Sequence, residues 1–270
     1  MAHAQAVRSI DSVQLNHHRA GSGAPVVLIH GVGSQWQVWK PVLPALERER
    51  DVIALDLPGF GGSPSLPVGV VPNAPALTEA VAGFLDGLGI ERPVVGGNSL
   101  GGWIALELAK RGRARAVVGV SPAGFATRWE SAAARAHLLS SWRGARMSGL
   151  TEWMIRRPRG RVLAFGGMMG KPAKVPVADA LEASRNLARS GAFETTVAAI
   201  THDRFRDAER VDVPVTLVWG TRDMVLFPWQ VRRALRELPH ARHVPLPGAG
   251  HVPTWDDPDT IAGQIGRAHV

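Results

Sequence analysis

The stretch Pro93-Val94-Val95-Gly96-Gly97-Asn98-Ser99-Leu100-Gly101-Gly102-Trp103 decides the fold. Its apolar start, glycine-bounded turn and continuation as IALELAKRG predict a short buried strand, a sharp turn at Ser99 and a helix. Gly97-x-Ser99-x-Gly101 has the spacing of a nucleophile elbow. In such a turn the serine holds a strained backbone conformation and side chains on its neighbours would clash, which is why glycine flanks it. The hydroxyl then stands clear of the sheet, above a helix N-terminus that favours negative charge. The spacing alone is weak in a chain with 30 glycines, where a purely structural glycine turn is the bland alternative. The strand before and the helix after give it weight.

Working outward, strands and helices alternate. Pro25–Ile29 is a continuous apolar run of the kind buried on both faces of a parallel sheet, and it ends in the loop His30-Gly31-Val32-Gly33-Ser34-Gln35-Trp36. A helical stretch over 39–49 follows. A second buried strand, Asp51–Leu55, then runs into Asp56-Leu57-Pro58-Gly59-Phe60-Gly61-Gly62-Ser63. Residues 75–89 have apolar positions at helical spacing, and Ala116–Val120 is another strand. Ahead of all these, 7–10 and 12–18 alternate as an antiparallel opening hairpin. Such alternation predicts crossover units, a mostly parallel sheet and an α/β fold. The pattern breaks over 125–207, which is helical and irregular with no convincing strand, and resumes at Pro214–Trp219. A helix over 229–239, a strand over 241–247 and a final helix from about 257 complete the sheet. The expected organisation is therefore a core of 1–124 and 208–270 with 125–207 as a helical cap (lid) over the strand ends. Four of the six methionines and three of the nine tryptophans fall in that cap, suggesting an adaptable apolar inner face.

Composition narrows the chemistry. A chain of 270 residues with 45% hydrophobic residues is long enough for one large α/β domain with an insertion. The absence of cysteine removes disulfides, thiolate metal sites and a cysteine nucleophile together. No metal and no cofactor is expected. No apolar run is long enough to span a membrane, and the N-terminus lacks the apolar core of a signal peptide, so a cytoplasmic protein is expected. The net charge of +8 raises nucleic-acid binding. Fourteen basic and seven acidic residues of 125–207 account for most of it, scattered among Trp, Met and Leu rather than on one face, so no nucleic-acid partner is expected.

A serine hydroxyl needs a base, and the base needs an orienting acid. The elbow fixes their chain order as Ser, acid, His. Asp223, in Gly220-Thr221-Arg222-Asp223, directly follows an apolar strand and so lies at its C-terminal end, where α/β sites gather. Asp212 precedes that strand, at the wrong end. His251, in Pro247-Gly248-Ala249-Gly250-His251-Val252-Pro253, follows the last strand, whereas His243 lies within it. Of two oxyanion donors, the amide of Leu100 supplies one from the helix N-terminus, and Val32, with Gly33 next in line, supplies the other. His30 is expected to brace this loop and Asp56 to tie its own loop together.

The motifs HGVGSQW, DLPGFGGS, GNSLGGW, GTRD and GAGHVP together resemble, in order and over nearly the whole chain outside the cap, the capped serine hydrolases of the α/β-hydrolase superfamily. The resemblance implies an eight-stranded sheet with helices on both faces. It further implies a Ser99–His251–Asp223 triad and an oxyanion hole from the amides of Val32 and Leu100. Haloalkane dehalogenases and most epoxide hydrolases of this superfamily place Asp at the elbow, so Ser99 argues against both. Carbon–carbon bond hydrolases of aromatic catabolism share GNS-x-GG, but usually carry a glycine-richer oxyanion loop and often Trp where this chain has Val252. Cofactor-free perhydrolases share the triad but resemble the cap and GNSLGGW less. The expectation is an esterase acting on a small apolar ester. Lactones, thioesters, carbon–carbon cleavage and a non-enzymatic ligand-binding role are the alternatives, and a homo-oligomer stays possible.

Overall fold

The strands of one sheet in the computed structural model, which describes residues 14–268, are mostly valine-, leucine- and isoleucine-rich runs, the edge strand HHRA being the exception. They are β1 (His17–Ala20), β2 (Ala24–Ile29), β3 (Arg50–Leu55), β4 (Val94–Asn98), β5 (Ala116–Val120), β6 (Val215–Gly220) and β7 (Arg242–Leu246). Their spatial order is β1-β3-β2-β4-β5-β6-β7, with β1 antiparallel to β3 and every other pair parallel. Seven strands stand among the described residues where the resemblance implied eight. The first arm of the expected opening hairpin, 7–10, lies outside the described residues. Its second arm is shifted, the ladder running from His17 to Ala20.

The strand alternation divides the core in two. Val27, Ile29, Ile53 and Val95 point into one apolar layer, while Val26, Leu28, Val52 and Val94 point into the other. Helices α1 (Leu43–Leu46), α2 (Ala74–Gly87) and α3 (Leu100–Lys110) follow β2, β3 and β4. The helical stretch expected over 39–49 is instead a 3-10 turn, Trp36–Trp39, and the single turn α1. Pro41 and Pro44 explain the difference: each lacks the amide a longer helix needs, and Pro44 is tolerated in the first turn of α1.

Between β5 and β6 the described chain contains no strand. It forms α4 (Arg128–Arg146), α5 (Ser148–Ile155), α6 (Pro158–Phe165), α7 (Val177–Arg189) and α8 (Phe193–Thr201). Helix α4 starts in a capping box, in which Glu130 accepts hydrogen bonds from the Thr127 amide at 2.7 Å and its hydroxyl at 2.8 Å. The same buried carboxylate accepts from the Trp229 indole at 2.7 Å and pairs with Arg233. Burial alone would raise the Glu130 carboxyl, but Arg233, Thr127 and Trp229 outweigh it and hold it at about 2. The start of the helical segment is thereby fastened to α9 (Val231–Glu237), which precedes β7. Helix α10 (Pro258–Gly266), capped by Asp257, closes the chain. No helix among the described residues is long and apolar enough to cross a membrane.

Candidate active site

Ser99 occupies the turn between β4 and α3 with φ 56° and ψ −117°, a conformation an L-residue adopts only under constraint. The constraint is visible in its hydrogen bonds: its amide donates to Val120 at 3.0 Å, and its carbonyl accepts from Trp103 at 3.1 Å and Ala123 at 2.9 Å. The flanking glycines are required by space. A Cβ on Gly97 would sit 2.1 Å from the Gly101 carbonyl oxygen, and one on Gly101 would sit 2.1 Å from that of Ile29. Substituting either residue would unseat α3 from the sheet.

Asp223 and His251 meet at the ends of β6 and β7, just beyond the strands they were expected to follow. The His251 Nδ1 lies 2.8 Å from Asp223 Oδ2, and both side chains are buried. Asp223 Oδ1 accepts from the amides of Val225 at 2.9 Å and Leu226 at 2.8 Å, which fixes the carboxylate plane. A carboxylate can only accept, so Nδ1 carries the proton and the lone pair lies on Nε2. Ser99 and His251 line the same cavity. This arrangement can deprotonate a hydroxyl and hold the resulting imidazolium beside a carboxylate.

The loop after β2 is built by His30. The Leu57 amide donates to His30 Nε2 at 2.9 Å, so Nδ1 must be the protonated nitrogen, and it donates to the Gly31 carbonyl at 2.7 Å. The Ser34 amide donates to the same oxygen at 3.1 Å. Burial lowers the His30 pKa, which keeps the ring neutral and in this tautomer. Because the peptide is trans, fixing the Gly31 carbonyl aims the Val32 N–H the opposite way. Neither the Val32 nor the Leu100 amide has a protein acceptor among the described residues, as an oxyanion site requires. Asp56 ties its loop as expected, accepting from Trp36 N at 2.7 Å, Gly62 N at 2.8 Å and Asn16 Nδ2 at 2.7 Å.

The cavity encloses about 410 Å³ between the strand-end loops and the helices that follow β5. Met154, Met168 and Met169 line it, in keeping with the expected apolar face. The tryptophans of 125–207 do not: Trp142 is buried against Phe193, while Trp129 and Trp153 are exposed. Trp255, beyond the helical segment, lines the cavity instead. Asp179 and Glu182 are at the wall, both paired with Lys40 at 3.0 and 2.8 Å. No lysine or arginine is among its described lining residues. Among the described residues, no three His, Asp or Glu side chains converge as a metal site would need.

Three further site residues escape the sequence reading. Asn98 donates from Nδ2 to the carbonyls of Val120 at 3.0 Å and His251 at 2.9 Å, tying β4 to the histidine loop. It lies inside the elbow, so its position was a signal. His137, on α4, lines the cavity with a pKa lowered by burial and by the nearby His251 against the opposing pull of Asp223. Nothing in the sequence separates it from the other histidines. Asp256 is buried and accepts three backbone hydrogen bonds, from Gly170 at 2.7 Å, Lys171 at 2.7 Å and Gly250 at 2.9 Å. With the Val252 amide donating to Met168 at 2.8 Å, it sews the segment after α6 onto the loop carrying His251. Asp256→Asn leaves an amide N–H facing at least one of those donors, so it is expected to lose about 1–3 kcal/mol of stability in urea unfolding. Displacement of His251 is expected to lower kcat up to about 10²-fold with little change in KM. A loss of stability with unchanged kcat would show that the pin does not reach the histidine.

Similarity to known proteins follows the same lines. The family model described as alpha/beta hydrolase family matches residues 26–264. The epoxide hydrolase EphH of Mycobacterium tuberculosis is 32% identical over 201 residues, covering 72% of this chain and 93% of that protein. A 2-hydroxy-6-oxo-2,4-heptadienoate hydrolase of Pseudomonas putida is 40% identical over 102 residues, 37% of either chain. Among solved structures, a thermophilic esterase from Thermogutta terrifontis superposes with a TM-score of 0.70 at 25% identity, covering 94% of this chain and 92% of its own. A match running from β2 into α10 takes in every element that carries the site, and the chain belongs to the alpha/beta hydrolase family.

Proposed function

We propose that this hydrolase cleaves an uncharged, apolar carboxylic ester through an acyl-enzyme on Ser99. One observation carries the reading: Ser99 and the Asp223-bonded His251 face a common cavity that is methionine-lined and has no lysine or arginine among its described lining residues. In this reading Ser99 Oγ attacks the ester carbonyl carbon while His251 Nε2 takes the hydroxyl proton. The carbonyl oxygen gains the electron pair and rests on the Val32 and Leu100 amides. Collapse expels the alcohol, which leaves with the proton from His251. Water then attacks the acyl group, His251 takes its proton, and a second collapse frees the acid and returns the proton to Ser99. The helices of 125–207 act as a cap that shapes the slot and supply no reacting group.

The names of two relatives set the rivals. Most epoxide hydrolases of the superfamily that this chain resembles place a carboxylate at the elbow, where this chain has Ser99. Carbon–carbon cleavage of a dienol diketone acid calls for polar groups that grip an acidic, anionic substrate, and the arginines of 125–207, which could serve, stay out of the cavity lining. A panel of nitrophenyl esters of graded acyl length, run beside a vinylogous diketone acid, tests the choice. Each added methylene is expected to raise kcat/KM about fourfold, the equivalent of ~0.8 kcal/mol, until the slot is full. Faster turnover of the diketone acid than of any ester would move the assignment to carbon–carbon hydrolysis.

A further inference from the structure

Ten large apolar side chains stand exposed among the described residues, and five of them fall within positions 147–163: Met147, Leu150, Trp153, Val162 and Leu163. Met147, Leu150 and Trp153 recur every third residue at the start of α5 and along it, so they share its outward face. Val162 and Leu163 lie on α6, which packs against α5 so closely that a Cβ on Gly160 would overlap the Met154 carbonyl. The same stretch is arginine-rich. Arg143, Arg146, Arg156, Arg157 and Arg159 are all exposed, and none is within ion-pair distance of a carboxylate among the described residues. The one acid between them, Glu152, is neutralised by Arg185 at 2.6 Å. Arg157 lies 4.1 Å over the Trp153 ring, so charge and apolar surface are interleaved.

Grouped exposed apolar side chains mark a binding surface. Its rim is of one sign. Short helices that expose Trp, Leu and Val beside arginines outside ion-pair distance of any described carboxylate suit a negatively charged, deformable interface rather than a partner with a fixed pattern of both signs. The patch is also continuous with the active-site cavity: Leu163 is 75% exposed and yet lines the cavity, as does Met154 beside Trp153. We infer that the α5–α6 surface docks onto an anionic phospholipid surface, with Met147, Leu150 and Trp153 entering the headgroup region and the five arginines meeting lipid phosphates. Docked in this way, the cavity opens at the lipid, where apolar esters concentrate. The inference goes beyond the ester chemistry and is read without turnover.

The test is co-sedimentation of the full chain with vesicles of phosphatidylglycerol and phosphatidylcholine, against phosphatidylcholine alone, at about 0.1 M and about 0.5 M salt. Binding to the anionic vesicles, weakened by salt and absent from neutral ones, is the expected result. Leu150→Glu with Trp153→Glu is expected to cut the partition coefficient at least about tenfold. The milder pair Arg156→Gln and Arg157→Gln, which leaves every apolar side chain of the patch in place, is expected to cut it about fivefold per charge. Arg232→Gln with Arg236→Gln on α9 controls for the general basicity of a chain with net charge +8 and should change nothing. Hydrolysis of a short, soluble ester should be the same in all of these variants. Failure to bind anionic vesicles would overturn the inference, as would equal losses in the α9 control or binding indifferent to the patch. So would a concentration-dependent dimer abolished by Leu150→Glu and Trp153→Glu, which would assign the surface to a second copy of this chain.

Discussion

Ser99→Ala is expected to lower kcat on the preferred ester by on the order of 10⁶, with KM little changed, because the acyl-enzyme route disappears while the cavity stays intact. The residue is small and already meets its strained backbone through the bonds of its amide and carbonyl, so alanine should fold in its place. The companion measurement is an organophosphonate, which should add a single adduct mapped by peptide mass to Ser99. The rival is Ser121, the other serine at positive φ, with φ 44° at the end of β5. Its hydroxyl is fully buried, finds no hydrogen-bond partner among the described residues and is not among the side chains lining the cavity. A reagent that labelled Ser121 or any other serine, or a Ser99→Ala protein retaining a tenth of its activity, would end the assignment of Ser99 as the nucleophile.

The parts of the site legible in the sequence are those whose chemistry constrains the chain locally. Gly97 and Gly101 were readable because a Cβ at either would strike backbone, and that need is written into three residues of turn. Asp223 and His251 were readable because strands end where apolar runs end, and the polar residue just beyond is placed by the sheet. Asp256 was not readable. Its three donors come from positions 170, 171 and 250, and only the folded segment after α6 brings the first two to it. The tryptophans show the opposite failure. Their number in 125–207 was visible, but whether each faces the cavity, the core or solvent depends on the rotation of α4 and α5, which composition does not carry. The short α1 was legible in principle, since Pro41 and Pro44 stand in the sequence and each removes an amide that a helix over 39–49 would need.

Asp223→Asn is expected to leave the fold intact and to lower kcat by on the order of 10⁴, about 5.5 kcal/mol of transition-state stabilisation. The retained amide oxygen can still accept from Val225 and Leu226, so the turn after β6 is kept. The side-chain NH₂ then faces His251 Nδ1. Two donors cannot share that contact, so the imidazole proton moves to Nε2, and the nitrogen that must receive the Ser99 proton has no lone pair to offer. Organophosphonate labelling of Ser99 should slow in step with kcat, since both need the same proton transfer. Asp212→Asn, at an exposed position ahead of β6, should leave the rate unchanged. Asp56→Asn should cost stability through its three loop bonds more than it costs rate. A near-normal kcat for Asp223→Asn would mean that another carboxylate orients the histidine, and with only Asp223 on Nδ1 among the described residues the base itself would then have to be reassigned.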